Sequence, residues 1–129
     1  MTAERDLAVL LRGARPVIAH PEVVFATVPD ASGLPALATV VEDEGVTVVL
    51  RRADAEHLGV GFDWVGAWIT LRVHSALDAG GLTAAVSTVL ADAGISCNVL
   101  AGFHHDHLLV PVDRAPDALA LLASLARPG

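Results

Sequence analysis

Two spacings of apolar residues organise this chain. Between Trp68 and His74, Ile69, Leu71 and Val73 alternate with Thr70, Arg72 and His74, which predicts a strand with one buried face. From Leu82 to Ala93 the period lengthens: Leu82, Val86, Val89, Leu90 and Ala93 form one stripe of an amphipathic helix, and Gly94 is placed to end it. Ile95–Leu100 and His107–Val112 read as further strands, and Asp113 as the cap of a last helix whose Ala118, Leu121, Leu122 and Leu125 share a face. Upstream, Leu7, Leu10, Leu11 and Ala14 predict a helix over Ala3–Arg12, capped by Thr2 and closed by Gly13 and Pro16. Glu22–Val28 is β-rich, and residues 29–33 read as a loop. Leu37–Val41 and Val46–Leu50 flank Glu42-Asp43-Glu44-Gly45 as a hairpin. A short helix is expected over Ala53–Leu58, stopped by Gly59. Gly61–Ala67 then connects two halves, with Phe62 and Trp64 packed between them.

This pattern amounts to six or seven strands and four helices. The C-terminal half has no strand after its second helix, and the N-terminal half begins on a helix, so each is incomplete alone. The wording VHS…GLTAAVS…AGISCNV…HDH…VPV, within Trp68–Val112, resembles the ACT domain, and more narrowly small proteins with two ACT-like halves. The resemblance implies an α+β fold of ferredoxin-like βαββαβ topology, with halves at residues 1–61 and 62–129. Two full modules need eight strands, so the halves are expected to share strands or appose their antiparallel sheets. Uncovered edges then predict a homodimer or higher oligomer, with Trp68, Ile69 and Leu100 partly buried between subunits.

Composition narrows the partners. Fifteen acidic residues face eight arginines and no lysine, giving a net charge of −7 over 129 residues. Such a surface repels phosphate backbones, and two Trp, three Phe and no Tyr leave little for base stacking, so nucleic acid is excluded as a partner. No apolar run reaches the roughly 20 residues of a membrane helix, and no signal peptide is visible. The single cysteine, Cys97, cannot form an internal disulfide, which agrees with a cytoplasmic protein.

The strand-to-helix joint Asp78-Ala79-Gly80-Gly81 leaves the first helical N–H groups open to an anion such as an amino acid's carboxylate. The ACT resemblance implies a pocket made by this turn and the facing strand of a neighbouring module. The candidate ligand residues are His74, Ser75, Asp78, Gly80, Gly81, Leu82 and Asn98, with Asp78 or the Asn98 amide oxygen accepting from the ligand's ammonium. The same glycines would equally serve a tight turn that lets helix and sheet pack closely. Alternation puts Asn98 on a face with Ser96, and Cys97 on the core side as a small hydrophobe.

His104-His105-Asp106-His107 has ligand chemistry for zinc. In the ferredoxin-like sheet that the resemblance implies, the strands ending at His74 and beginning at His107 are expected side by side and parallel, which would put those two histidines a strand length of roughly 20 Å apart. Metal binding would then recruit residues from another module, and replacing His107 would leave an amino acid site intact. His20 and His57 receive no role. No nucleophile–base pair, Walker loop, dinucleotide fingerprint or paired carboxylates occur, so no enzyme activity and no cofactor are expected. The implied function is that of a non-catalytic sensor of a small metabolite, an amino acid first, with a ligand-free interaction module or a metal-binding protein as the rivals.

Overall fold

The computed structural model describes residues 15–72 and 81–125, without the side chains of residues 81 and 82. The helix expected over Ala3–Arg12 lies outside this range. The described elements are β1 (Pro16–Val28), β2 (Ala38–Glu42), β3 (Gly45–Arg51), α1 (Arg52–Leu58), β4 (Val65–Leu71), α2 (Gly81–Asp92), β5 (Asn98–Ala101), β6 (Asp106–Pro111) and α3 (Ala115–Leu125). A 3₁₀ turn, Val112–Arg114, precedes α3 and contains Asp113, which is therefore not that helix's cap.

The strands form one six-stranded sheet in the order β2-β3-β1-β4-β6-β5. Every pair is antiparallel. This settles how two modules fit six strands. Along β1, β2, β3, α1 and β4, the order β2-β3-β1-β4 is that of one ferredoxin-like sheet. Along β4, α2, β5, β6 and α3, the order β4-β6-β5 is that of a second, and β1 stands where its missing last strand belongs. β1 and β4 thus serve both modules.

The long β1 makes this possible. Val23–Val28 pair with Arg51–Val46 of β3, while Pro16–Val24 pair with Leu71–Val65 of β4. Register shifts between Ile18 and His20 and between His20 and Val23 reset its alternation midway. The strand signal at Glu22–Val28 therefore captured only the part rich in β-branched residues. Similarly β4 begins at Val65, inside the expected connector, because Gly66 and Ala67 are drawn into the ladder.

Helices cover one face only among the described residues. α2 and α3 place Val86, Leu90, Ala118 and Leu122 on Ala67, Ile69, Leu71, Leu108 and Val110. α1 places Ala55 on Val24, Val48 and Leu50, with Phe62 beside them. Cys97 and Val99 pack toward the first of these clusters, as alternation requires. α2 ends as its sequence predicts, with Gly94 at φ 73° and Ile95 N–H donating to the Leu90 carbonyl at 2.9 Å.

The opposite face is also apolar and also buried. Val23, Val49, Trp68 and Leu109 form a cluster there, joined by Phe25, Leu37, Ala38, Trp64 and Leu100. Trp68 and Ile69 are already buried within one chain, at 7 % and 0 % exposure, so they are not the partly open subunit contacts expected of them.

Candidate functional site

What buries the helix-free face is curvature of the sheet. β2 and β5 are its opposite edges, which five strand spacings would hold roughly 24 Å apart if it were flat. Instead Leu37–Val40 and Val99–Gly102 line one cavity of about 420 Å³, together with Trp68 and His107. The sheet is rolled, and its edges converge over its concave face. Two other hollows on the described surface are lined by Phe25, Thr47 and Phe62, and by His20, Glu22 and Arg51.

Beneath the cavity lies a polar triangle in an apolar setting. Trp68 Nε1–H points at Thr70 Oγ1 at 3.1 Å and at His107 Nδ1 at 3.2 Å, and those two acceptors are 3.1 Å apart. Alternation along β4 puts Trp68 and Thr70 on one face, and the β4–β6 register sets His107 opposite Thr70. An indole N–H only donates, so Nδ1 accepts and the neutral ring carries its proton on Nε2. A second imidazole, His20 of β1, meets the Trp68 ring edge-on at 5.7 Å, while the His107 ring lies 5.0 Å from it. Burial holds the His107 pKa below the ordinary imidazole value; His105 and His20 add to this and Asp106 opposes it. His20 is lowered too, by burial and then by the nearby Arg51 guanidinium.

The antiparallel register corrects the expected separation of His74 and His107. Leu71 pairs with Asp106 and Thr70 with His107, so β6 starts at the end of the sheet where β4 finishes. His107 therefore belongs to the same end as the β4–α2 turn, and the reason for expecting its replacement to spare ligand binding falls. Of the sequence-derived candidates, His74, Ser75, Asp78 and Gly80 lie outside the described residues. Gly81 and Leu82 open α2, whose first turn carries no acidic residue to compete with an anion. Asn98 opens β5, exposed, and lies opposite Leu109 on the concave face. Asn98 thus shares the concave face with Trp68, Thr70, His107 and His20; the sequence reading gave His107 a role only in the rival metal cluster and gave the other three none. Shared alternation could have paired Trp68 with Thr70; nothing local could have added His107 or His20.

Among the described residues the histidine run gathers no set of metal ligands. His104 stacks on Phe103 at 5.0 Å, His107 turns its Nδ1 inward, and no three His, Cys, Asp or Glu side chains gather among the described residues. Nor is any described helix long and apolar enough to cross a membrane.

A six-stranded antiparallel sheet with helices on one face and two strands common to both modules defines a tandem ferredoxin-like protein. The chain belongs to the ACT-domain family: models described as ACT domain match residues 2–66 and 65–124. A crystal structure of a protein of unknown function from Vibrio cholerae, described as a possible transport protein, is 38% identical over 98% of this chain and 100% of its own, with a TM-score of 0.86. A protein from Agrobacterium tumefaciens is 22% identical over 81% of each chain, with a TM-score of 0.57. The ligand-free regulatory subunit of aspartate kinase from Thermus thermophilus is 9% identical over 87% of this chain and 97% of its own, with a TM-score of 0.63, a likeness of fold. No curated protein matches the chain.

Proposed function

We propose that this protein is a non-catalytic, cytoplasmic regulatory module, with halves at residues 1–61 and 62–129, that binds a free amino acid at the β4–α2 turn. Membership of the ACT family and the regulatory fold neighbour support the regulatory role. The observation that carries the placement is local. The described part of α2 starts at Gly81 with no carboxylate in its first turn, and β4 finishes at Leu71, so the proposed site falls on the chain between them. N–H groups there suit a ligand carboxylate, and Asp78 or Asn98 suits its ammonium. His74, Ser75, Gly80 and Leu82 complete the proposed pocket, closed by a neighbouring module in a homodimer. The described residues leave the outer edges of β2 and β5 without a strand partner, as such pairing would require.

A thermal-shift screen of the twenty amino acids and divalent ions tests this. A ligand at 100 times its Kd adds about 2.7 kcal/mol of stability. Asp78→Asn should weaken binding of the hit without moving the melting of the empty protein, and Gly81→Val should abolish it. Silence across all amino acids would refute the reading, and a shift with zinc alone would move the site to the histidine run.

A further inference from the structure

The rolled sheet offers a second binding opportunity on the side away from the helices. Its cavity of about 420 Å³ lies within the range of small-molecule pockets, roughly 300–1,000 Å³. Leu37, Ala38, Val40 and Leu100 supply apolar walls, Trp68 lies at the floor, and His107 is the only titratable residue among the described residues of the lining. The described lining offers no carboxylate and no guanidinium, so a zwitterion would lose water at both charged ends and gain no counterion from it. The described lining therefore favours an uncharged, apolar ligand over the class proposed for the turn.

It does offer one fixed donor. Trp68 and Thr70 hold His107 by Nδ1, which turns its N–H, on Nε2, toward the Gly102 side of the ring. Glycine at position 102 keeps the space in front of it open. A Cβ there would stand 3.1 Å from His107 Nε2, at hydrogen-bonding distance, and 2.8 Å from the His105 carbonyl oxygen. The Gly102 backbone is itself anchored, its N–H donating to that same carbonyl at 2.9 Å. A donor aimed from a rigid ring into an apolar hollow suits a ligand acceptor of matching simplicity.

We propose that the cavity between β2 and β5 binds an uncharged, largely apolar carbonyl compound, its oxygen accepting from His107 Nε2–H and its body packed on Trp68 between the two sheet edges. Occupancy bridges β2 of one module to β5 of the other, so the ligand ties the two edges of the rolled sheet together.

The test uses acetophenone as probe and ethylbenzene as its acceptor-free counterpart, on full-length protein carrying Trp64→Phe so that Trp68 is the one indole. The Trp68 indole N–H and the amides of Ala38, Val40 and Leu100 are followed by ¹H–¹⁵N NMR. Acetophenone should shift all of them saturably, and ethylbenzene should bind about 10-fold more weakly for want of one hydrogen bond. His107→Phe should reduce acetophenone to the ethylbenzene level. Gly102→Ala should do the same with His107 intact, and Leu100→Phe should fill the hollow and abolish both, which keeps the test decisive if one variant fails to fold. Absence of saturable shifts up to the solubility limit, shifts confined to residues away from the cavity, or equal binding by folded His107→Phe protein would each overturn the proposal.

Discussion

Leu109→Ala separates a rolled sheet from an open one. Leu109 sits on β6 with its side chain on the helix-free face, and its 0 % exposure exists because the edges of the sheet close over Val23, Val49 and Trp68. Removing three carbons at about 0.8 kcal/mol each forfeits roughly 2.4 kcal/mol of transfer energy. The cavity left behind adds to this, since a cluster braced by an indole and two β-branched side chains collapses poorly, so the total should be about 3–4 kcal/mol. At roughly 4 °C per kcal/mol for a domain of this size, Tm should fall by about 12–16 °C, with the urea m-value unchanged. Val41→Ala is the control: Val41 is 84 % exposed on edge strand β2 and should cost less than about 0.5 kcal/mol. Equilibrium urea unfolding followed by circular dichroism measures both. A Leu109→Ala cost below about 1 kcal/mol would mean this face is open to water, and the concave cavity would fall with it.

Stability should fall on acidification. His20 and His107 both have lowered pKa values, so the native state binds fewer protons than the unfolded chain; their contribution is present above the ordinary imidazole value of about 6.5 and is lost as pH falls through it. A Tm profile from about pH 7.5 to 5.5 should slope downward toward acid and flatten in His107→Gln; an unchanged slope in the variant would refute the assignment. Burial pushes the Cys97 thiol up to about 11, so a thiol reagent at neutral pH should label it only as the protein unfolds, and rapid labelling of native protein would contradict its packing. Gly94→Ala meets no neighbouring atom but must hold φ +73°, so it should cost about 1–2 kcal/mol by urea unfolding; a neutral result would mean the end of α2 rearranges freely.

Much of the local architecture was readable from residue spacing. Ile69 and Leu71 pack under the helices, Val86 and Leu90 form the buried stripe of α2, and Gly94 and Gly59 end their helices in the left-handed conformation. These features depend on neighbours a few residues away, where side-chain period and backbone preference act directly. The need for shared strands was legible too, from a count that left both halves short. Which strands are shared was not. β1 serves both modules because its two ends pair with different strands, a choice made by contacts far along the chain. Strand direction was misjudged for the same reason: alternation reads identically in parallel and antiparallel ladders, and only pairing puts His107 against Thr70. Trp68, Thr70 and His107 meet across 37 and 39 residues of sequence, and the cavity above them needs the two sheet edges to converge. A pattern along one strand tells which face a side chain occupies; only the curvature of the whole sheet decides whether that face meets water or another strand.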